Sequence, residues 1–329
     1  MNPPAVVVPE SMFRQIEEAR ERIAQVIVGK RSAVDLLLTA LIAGGHALLE
    51  DVPGTGKTLL AKTLARTLDC GFRRVQFTPD LLPTDLSGIN FYNQKSGEFE
   101  FRPGPLFTNV LLADEINRAT PRTQSSLLEC MEERQITIDG VTYPLQAPFL
   151  VIATQNPVDN QGTFPLPEAQ LDRFLLRIRM GYPSFEESLD ILTRFRGRSP
   201  LDEVQPVLDP DALLGIQRFA AVGVRIADDL LGYIVRLSEA SRRHPDVALG
   251  VSPRGSQALL KASQAYAVVQ GRDYVTPDDI KALAEPVLAH RLLLKYSPQT
   301  RDEQSAVAIR SLLRETEVPT EPAEAWGRP

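Results

Sequence analysis

The chain predicts an α/β fold, with a doubly wound parallel sheet carrying hairpin inserts and a smaller all-α domain after it. Three observations carry that prediction. Through the first half, short apolar runs alternate with segments of helical periodicity. One such run, 46–50, leads into a glycine-rich octapeptide, and a helix-forming segment leaves it. After Gly181 the chain turns helical, and Asp209-Pro210, Ser252-Pro253 and Thr276-Pro277 each set an N-cap before a proline at the first helical position.

The elements follow in order. Pro3, Pro4 and Pro9 mark a loose start with no basic export-type region. Phe13, Ile16, Ile23 and Val26 form one stripe of a helix over 10–26, and a second helix spans 33–42. Strands are expected at 46–50, 75–77, 109–113, 149–154 and 174–178, with a helix over 57–68. Two hairpins interrupt this alternation. In 89–101 the residues Ile89, Phe91, Phe99 and Phe101 alternate around Lys95-Ser96-Gly97; in 136–143 the Asp139-Gly140 pair sets Ile138 opposite Val141 and Ile136 opposite Tyr143. Either hairpin is equally readable as decoration. Gly271 is placed to end the helix begun at Pro253, and Pro286 to kink or break the next one. The expected division is a tail and helix start at 1–18, an α/β core at 19–180, a helical domain at 181–315 and a disordered Pro/Glu-rich tail at 316–329.

Composition limits the possible functions. The 329 residues are 43% hydrophobic and 24% charged, as in an ordinary globular protein. A net charge of −6 argues against a sequence-independent grip on nucleic acid. Cys70 and Cys130 have no metal-type spacing and suit a reducing, cytoplasmic setting. The longest apolar stretch, 36–49, is broken by Gly44, Gly45 and His46, so no membrane span is expected. His46, His244 and His290 read as structural.

The octapeptide Asp51-Val-Pro-Gly-Thr-Gly-Lys-Thr58 is a phosphate-binding loop in the strand–loop–helix context that such a loop needs. Backbone N–H groups of a Gly-rich turn at a helix N-terminus converge on an anion, and Gly54 and Gly56 supply the necessary backbone conformations. Lys57 is expected on the β/γ-phosphates and the Thr58 hydroxyl on Mg²⁺. Asp51 stands where such loops usually begin with glycine. The apolar strand 109–113 then ends in Asp114-Glu115, at the sheet edge where ligands bind. Asp114 is assigned to the Mg²⁺ shell and Glu115 to orienting and deprotonating an attacking water. Asn156, after the next strand, is either a γ-phosphate or water ligand or a turn former before Pro157.

Together with Ala113-Asp114-Glu115-Ile116-Asn117-Arg118-Ala119, Ala153-Thr154-Gln155-Asn156-Pro157 and Pro167-Glu168-Ala169-Gln170-Leu171-Asp172-Arg173-Phe174, the loop resembles a MoxR-type AAA+ ATPase over nearly the whole chain. The hairpins match the helix-2 and pre-sensor-1 inserts of that clade. The resemblance implies ATP as ligand, with Val28, Gly29, Pro53, Gly54, Thr55, Gly56, Lys57, Thr58 and Leu59 around it and Thr58 and Asp114 on Mg²⁺. Glu115 and Asn156 (sensor 1) then act with Arg173, the arginine finger that reaches a neighbouring subunit, and Arg254, sensor 2 on the lid. From the residues alone, Arg173 could equally pair with Asp172, and Arg254 could be a surface ion pair. Arg118 is a further candidate for the subunit interface. The resemblance also implies a ring, most simply a hexamer, remodelling or maturing partner proteins, some bearing a von Willebrand A domain. Competing readings are a nucleotide-locked scaffold, which Glu115 disfavours, and a metal-chelatase motor subunit. A DNA motor is disfavoured by the acidic balance.

Overall fold

The structure is a computed structural model, and it describes residues 10–52, 54–156, 162–197, 199–295 and 301–319. Pro53, the start at 1–9, Pro157 and the tail from 320 lie outside the described residues.

Helices α1 (Glu10–Val26) and α2 (Arg31–Ile42) precede β1 (Ala47–Glu50), α3 (Lys57–Thr67), β2 (Phe72–Gln76) and α4 (Pro83–Ser87). A hairpin of β3 (Gly88–Asn93) and β4 (Glu98–Pro103) leads to β5 (Val110–Asp114) and α5 (Pro121–Glu133). A second hairpin, β6 (Gln135–Ile138) and β7 (Val141–Pro144), precedes β8 (Leu150–Gln155), α6 (Glu168–Leu171) and β9 (Leu176–Ile178). The five strands expected for the sheet form it in the order β2-β5-β8-β1-β9, every pair parallel. Both faces are covered, which explains the unbroken apolar runs. Leu49, Leu112 and Ile152 point into one core, with α1, α2 and α3; Leu48, Leu111, Ala113, Val151 and Ala153 point into the other, with α5. The register sets Gln76 beside Asp114 and Glu50 beside Gln155, so the strands' carboxyl ends share one edge.

Beyond β9 come α7 (Phe185–Arg194), α8 (Pro210–Val222), α9 (Asp228–Arg243), β10 (Val247–Leu249), α10 (Pro253–Val269), α11 (Pro277–Leu288), β11 (Leu293–Leu294) and α12 (Arg301–Glu315). The three expected N-caps form: Asp209, Ser252 and Thr276 accept from the N–H groups of Ala212, Gly255 and Asp279. Gly271, at φ +73°, follows the end of α10. Pro286 lies inside α11, which continues to Leu288 without breaking there.

The second half is the helical domain expected, with one short antiparallel ribbon of β10 and β11 set among its helices. Two expected bounds need correction. A cut at 18/19 falls inside α1, whose Ile16, Ala19, Ile23 and Val26 belong to the same buried cluster as α2 and α10. Arg20 fixes that junction through a buried bidentate pair with Asp35 at 2.8 Å, to which Gln270 also donates at 3.3 Å. At the other end, Thr316 is buried and Val318 packs on the core, so the chain is ordered somewhat past the expected start of the tail.

The hairpins are joined. Ile138 pairs with Val141 and Ile136 with Tyr143 as expected, across a turn with positive φ at both Asp139 and Gly140. In the other hairpin, Tyr92 opposes Phe99 and Asn90 opposes Phe101, which puts Ile89 and Phe91 on the opposite face from Phe99 and Phe101. Phe101 stacks on Tyr143 at 4.4 Å, and Asn90 donates to Asp139 at 2.7 Å.

Candidate active site

Strand β1 delivers the chain to the phosphate loop, and Gly56, at φ +89°, is the left-handed residue from which α3 starts. A Cβ there would meet nothing within 4 Å, so the demand for glycine comes from the backbone conformation and not from crowding. The Lys57 ammonium donates to the carbonyls of Asp51 at 2.7 Å and Val52 at 3.2 Å. Burial lowers its pKa, while Asp51, Asp114 and Glu115 pull it back up. Asp51 serves the loop in place of glycine: its carboxylate accepts from the N–H groups of Val52 at 2.9 Å, Met180 at 3.1 Å and Gly181 at 2.7 Å. It thereby ties the loop to the start of the lid.

Gly54, Gly56, Lys57, Thr58 and Leu59 line a cleft of about 440 Å³ together with Asp114, Glu115, Thr154 and Asn156. Thr154 organises the two acids. Its hydroxyl donates to Asp114 Oδ1 at 2.6 Å and accepts from the Glu115 N–H at 2.8 Å. Glu115 sits at φ +56°, a conformation that a residue with a side chain adopts at a cost, which points to an imposed orientation. Gln76 donates to its Oε2 at 2.7 Å and Arg118 approaches the same atom at 2.9 Å. Arg118 is therefore drawn to the acid of its own chain. Arg74 donates to Asp114 Oδ2 at 2.6 Å. Arg74, Gln76 and Thr154 are the site residues that the sequence did not single out. Arg74 and Gln76 share one face of β2 by two-residue spacing, a signal hidden by placing that strand at 75–77.

Val28 is buried and Gly29, at φ +71°, packs against Glu187. The next residue, Lys30, donates to the Tyr182 carbonyl at 3.0 Å, one residue beyond the Gly181 that Asp51 holds. The segment thus joins the loop through the lid connection, and neither Val28 nor Gly29 lines the phosphate cleft.

Arg173 and Arg254 also stand apart from that cleft. Both line a second one of about 600 Å³, with Arg134, Lys261, Glu132 and Asp172. Asp172 is taken by Arg291 at 2.7 Å and by Arg254 at 3.4 Å, and Arg254 also binds Glu132. The pairing of Arg173 with Asp172 therefore does not form, and among the described residues no carboxylate pairs with the Arg173 guanidinium. Burial brings Arg291 down to about 10, against the pull of Asp172. His46 and His290 are structural: His46 Nδ1 accepts from the Val151 N–H at 2.9 Å, and His290 Nε2 faces the Phe174 carbonyl at 3.0 Å.

The donor set suits a hard cation. Thr58 and Asp114 offer oxygen only, and the described residues hold no cluster of three or more His, Cys, Asp or Glu able to bind a metal by themselves. That combination fits Mg²⁺, which is commonly held by one or two protein oxygens, phosphates and water.

A phosphate loop at the carboxyl edge of a parallel sheet, with paired acids on the neighbouring strand and a helical lid beyond, defines a P-loop nucleotide hydrolase. Residues 46–176 match the ATPase family associated with various cellular activities, and residues 239–311 match the AAA lid domain. The uncharacterized protein YeaC of Bacillus subtilis is 50% identical over 95% of this chain and 97% of its own. Chaperone MoxR1 of Mycobacterium tuberculosis is 42% identical over 92% of this chain and 82% of its own. The solved structure of an ATPase candidate from Cytophaga hutchinsonii superposes with a TM-score of 0.87 at 40% identity, covering 94% of this chain and 97% of that one. The chain belongs to the MoxR-type AAA+ ATPases, and its reaction is ATP hydrolysis.

Proposed function

We propose that this ATPase is Mg²⁺-dependent and works as a ring, most simply a hexamer, whose active sites are shared between neighbours. In each site Lys57 and the loop N–H groups hold the phosphates of ATP, and Glu115 orients and deprotonates the attacking water. Mg²⁺ bound by Thr58 and Asp114 would neutralise charge on the β- and γ-phosphate oxygens. Asn156 positions the γ-phosphate or the water from the end of β8. Arg173 and Arg254 act on the nucleotide of the next subunit. The observation that carries this reading is the pair of separate clefts: the phosphate-loop cleft includes neither arginine, and the second cleft holds Arg173 with no carboxylate partner among the described residues. A free guanidinium aimed at a neighbour's γ-phosphate stabilises the charge of the transition state.

The work driven by hydrolysis is chaperone-like remodelling or maturation of partner proteins in the cytoplasm, including partners with a von Willebrand A domain. The name of the MoxR1 relative supports this role. No helix among the described residues is long and apolar enough to cross a membrane. The test of the shared site is specific ATPase activity followed alongside light scattering through a dilution series. Activity should fall as assemblies dissociate; a flat specific activity down to monomer would refute sharing.

A further inference from the structure

Helix α7 lies on the body with its polar side inward. Its Arg194 donates to the carbonyls of Ala24 and Gln25 at 3.0 and 2.8 Å, Glu187 approaches Lys30 at 3.9 Å, and none of its residues is buried. The other side carries Phe185, Leu189 and Leu192 at four- and three-residue spacing, which is one face of a helix, and these are 80%, 58% and 70% exposed. Tyr182, just before the helix, is 74% exposed. A surface helix ordinarily turns its apolar stripe to the core, so this arrangement is inverted. At ~150–250 Å² per large aromatic side chain, the four expose roughly 400–600 Å². A patch of that size equals the largest on a typical monomer and is more than half of one partner's ~800 Å² share in a standard interface.

We propose that this face of α7 packs against a second copy of the chain, beside the junction of the phosphate loop and the lid. The proposal rests on the shared-site reading above and names the surface that brings the two half-sites together. Its position carries the choice of occupant. A Cβ on Gly29 would sit 1.9 Å from Glu187 Oε1, so the first turn of α7 lies directly on the 28–30 segment. Gly181 donates to Asp51, the first residue of the phosphate loop, and Tyr182 follows it in the chain. The apolar face therefore sits at the junction that Asp51 ties to the phosphate loop, one step removed from the cleft itself. A body delivering an arginine to that loop comes close to this junction, and α7 offers it apolar area there. The first turn of the helix adds the exposed carboxylate of Glu186 beside Phe185 as a polar edge to the face.

The test substitutes Phe185→Asp and, separately, Leu192→Glu in the full chain, with assembly followed by sedimentation in the presence of Mg²⁺ and ATP. Both side chains are solvent-exposed, so melting temperatures should stay at the wild-type value. The assembly threshold should rise at least about tenfold, which is 1.4 kcal/mol or more of interface energy. Specific activity should fall below that threshold and recover above it. Should either variant unfold, Leu189→Cys provides a second reading: a maleimide should label the introduced thiol quickly in dilute monomer and slowly in the assembly. Variants that assemble and hydrolyse like wild type, or an introduced thiol equally reactive in both states, would overturn the proposal and leave the face to a different protein partner. Those results differ from failure of the shared site itself, in which wild-type monomer would be fully active.

Discussion

Replacing Thr154 by valine removes the hydroxyl that holds both acids while keeping the side-chain shape. Thr154 is 1% exposed, and the hydroxyl is the donor to Asp114 Oδ1 at 2.6 Å and the acceptor for the Glu115 N–H at 2.8 Å. A hydrogen bond to a charged acceptor contributes about 1.5–3 kcal/mol, and a buried N–H left unpaired costs ~1–3 kcal/mol. Valine suits a strand, and Arg74 still pairs with Asp114 Oδ2, so part of this loss is offset. The net destabilisation should be about 2–4 kcal/mol. The catalytic loss has a separate origin. Glu115 is held at φ +56° partly by this bond, and without it the residue relaxes and its carboxylate shifts. A displacement of about 1 Å from the reacting geometry costs on the order of 10²-fold, so kcat should fall 10- to 100-fold while KM for ATP changes less. Urea unfolding and steady-state ATPase assays of Thr154→Val and Thr154→Ser measure both effects, and serine should retain most of each property. A valine variant as stable and as active as wild type would refute this account of how the acids are positioned.

Other outcomes follow from the same geometry. Glu115→Gln should bind ATP with wild-type affinity and lose nearly all turnover, whereas Lys57→Ala should lose binding; equilibrium titration with a fluorescent ATP analogue separates the two. Excess chelator should abolish hydrolysis and Mg²⁺ restore it, while activity that survives chelation would contradict the assignment of Thr58 and Asp114. Burial brings His46 down to about 3 from the usual 6.5, so folded His46 stays neutral while the unfolded form gains a proton. Stability from His46 is complete above pH 6.5 and is lost as pH falls towards 3, at up to about 1.4 kcal/mol per pH unit, a slope that His46→Gln should flatten in urea titrations run at several pH values.

The five strands were legible because the central ones, buried on both faces, read as unbroken apolar runs. The phosphate loop and the three N-caps were legible because their chemistry is local. What escaped depends on contacts distant in sequence. Strand β2 lies at the sheet edge and reads Phe-Arg-Arg-Val-Gln, so Arg74 and Gln76 look like surface residues until the register sets Gln76 beside Asp114. The β10–β11 ribbon joins three residues to two across the whole of α10 and α11, too few for any periodicity to register. The lid position of Arg254 was readable from its N-cap. The cleft it faces was not, because that depends on how α10 docks against α5 and Asp172. In the sequence Asp51 only stands where such loops usually begin with glycine, and its three N–H partners show a carboxylate with work of its own at the lid junction.

The central claim, one active site made by two subunits, is tested most directly by mixing two inactive variants. Arg173→Ala should bind ATP normally and hydrolyse it poorly, since an arginine supplied by a neighbour is worth about 10³–10⁵ in rate. Lys57→Ala should fail to bind but still carry an intact Arg173. Mixed subunits should regain activity wherever an Arg173→Ala phosphate loop faces a Lys57→Ala neighbour. Mixtures that form joint assemblies yet stay as inactive as either variant alone would contradict the shared site.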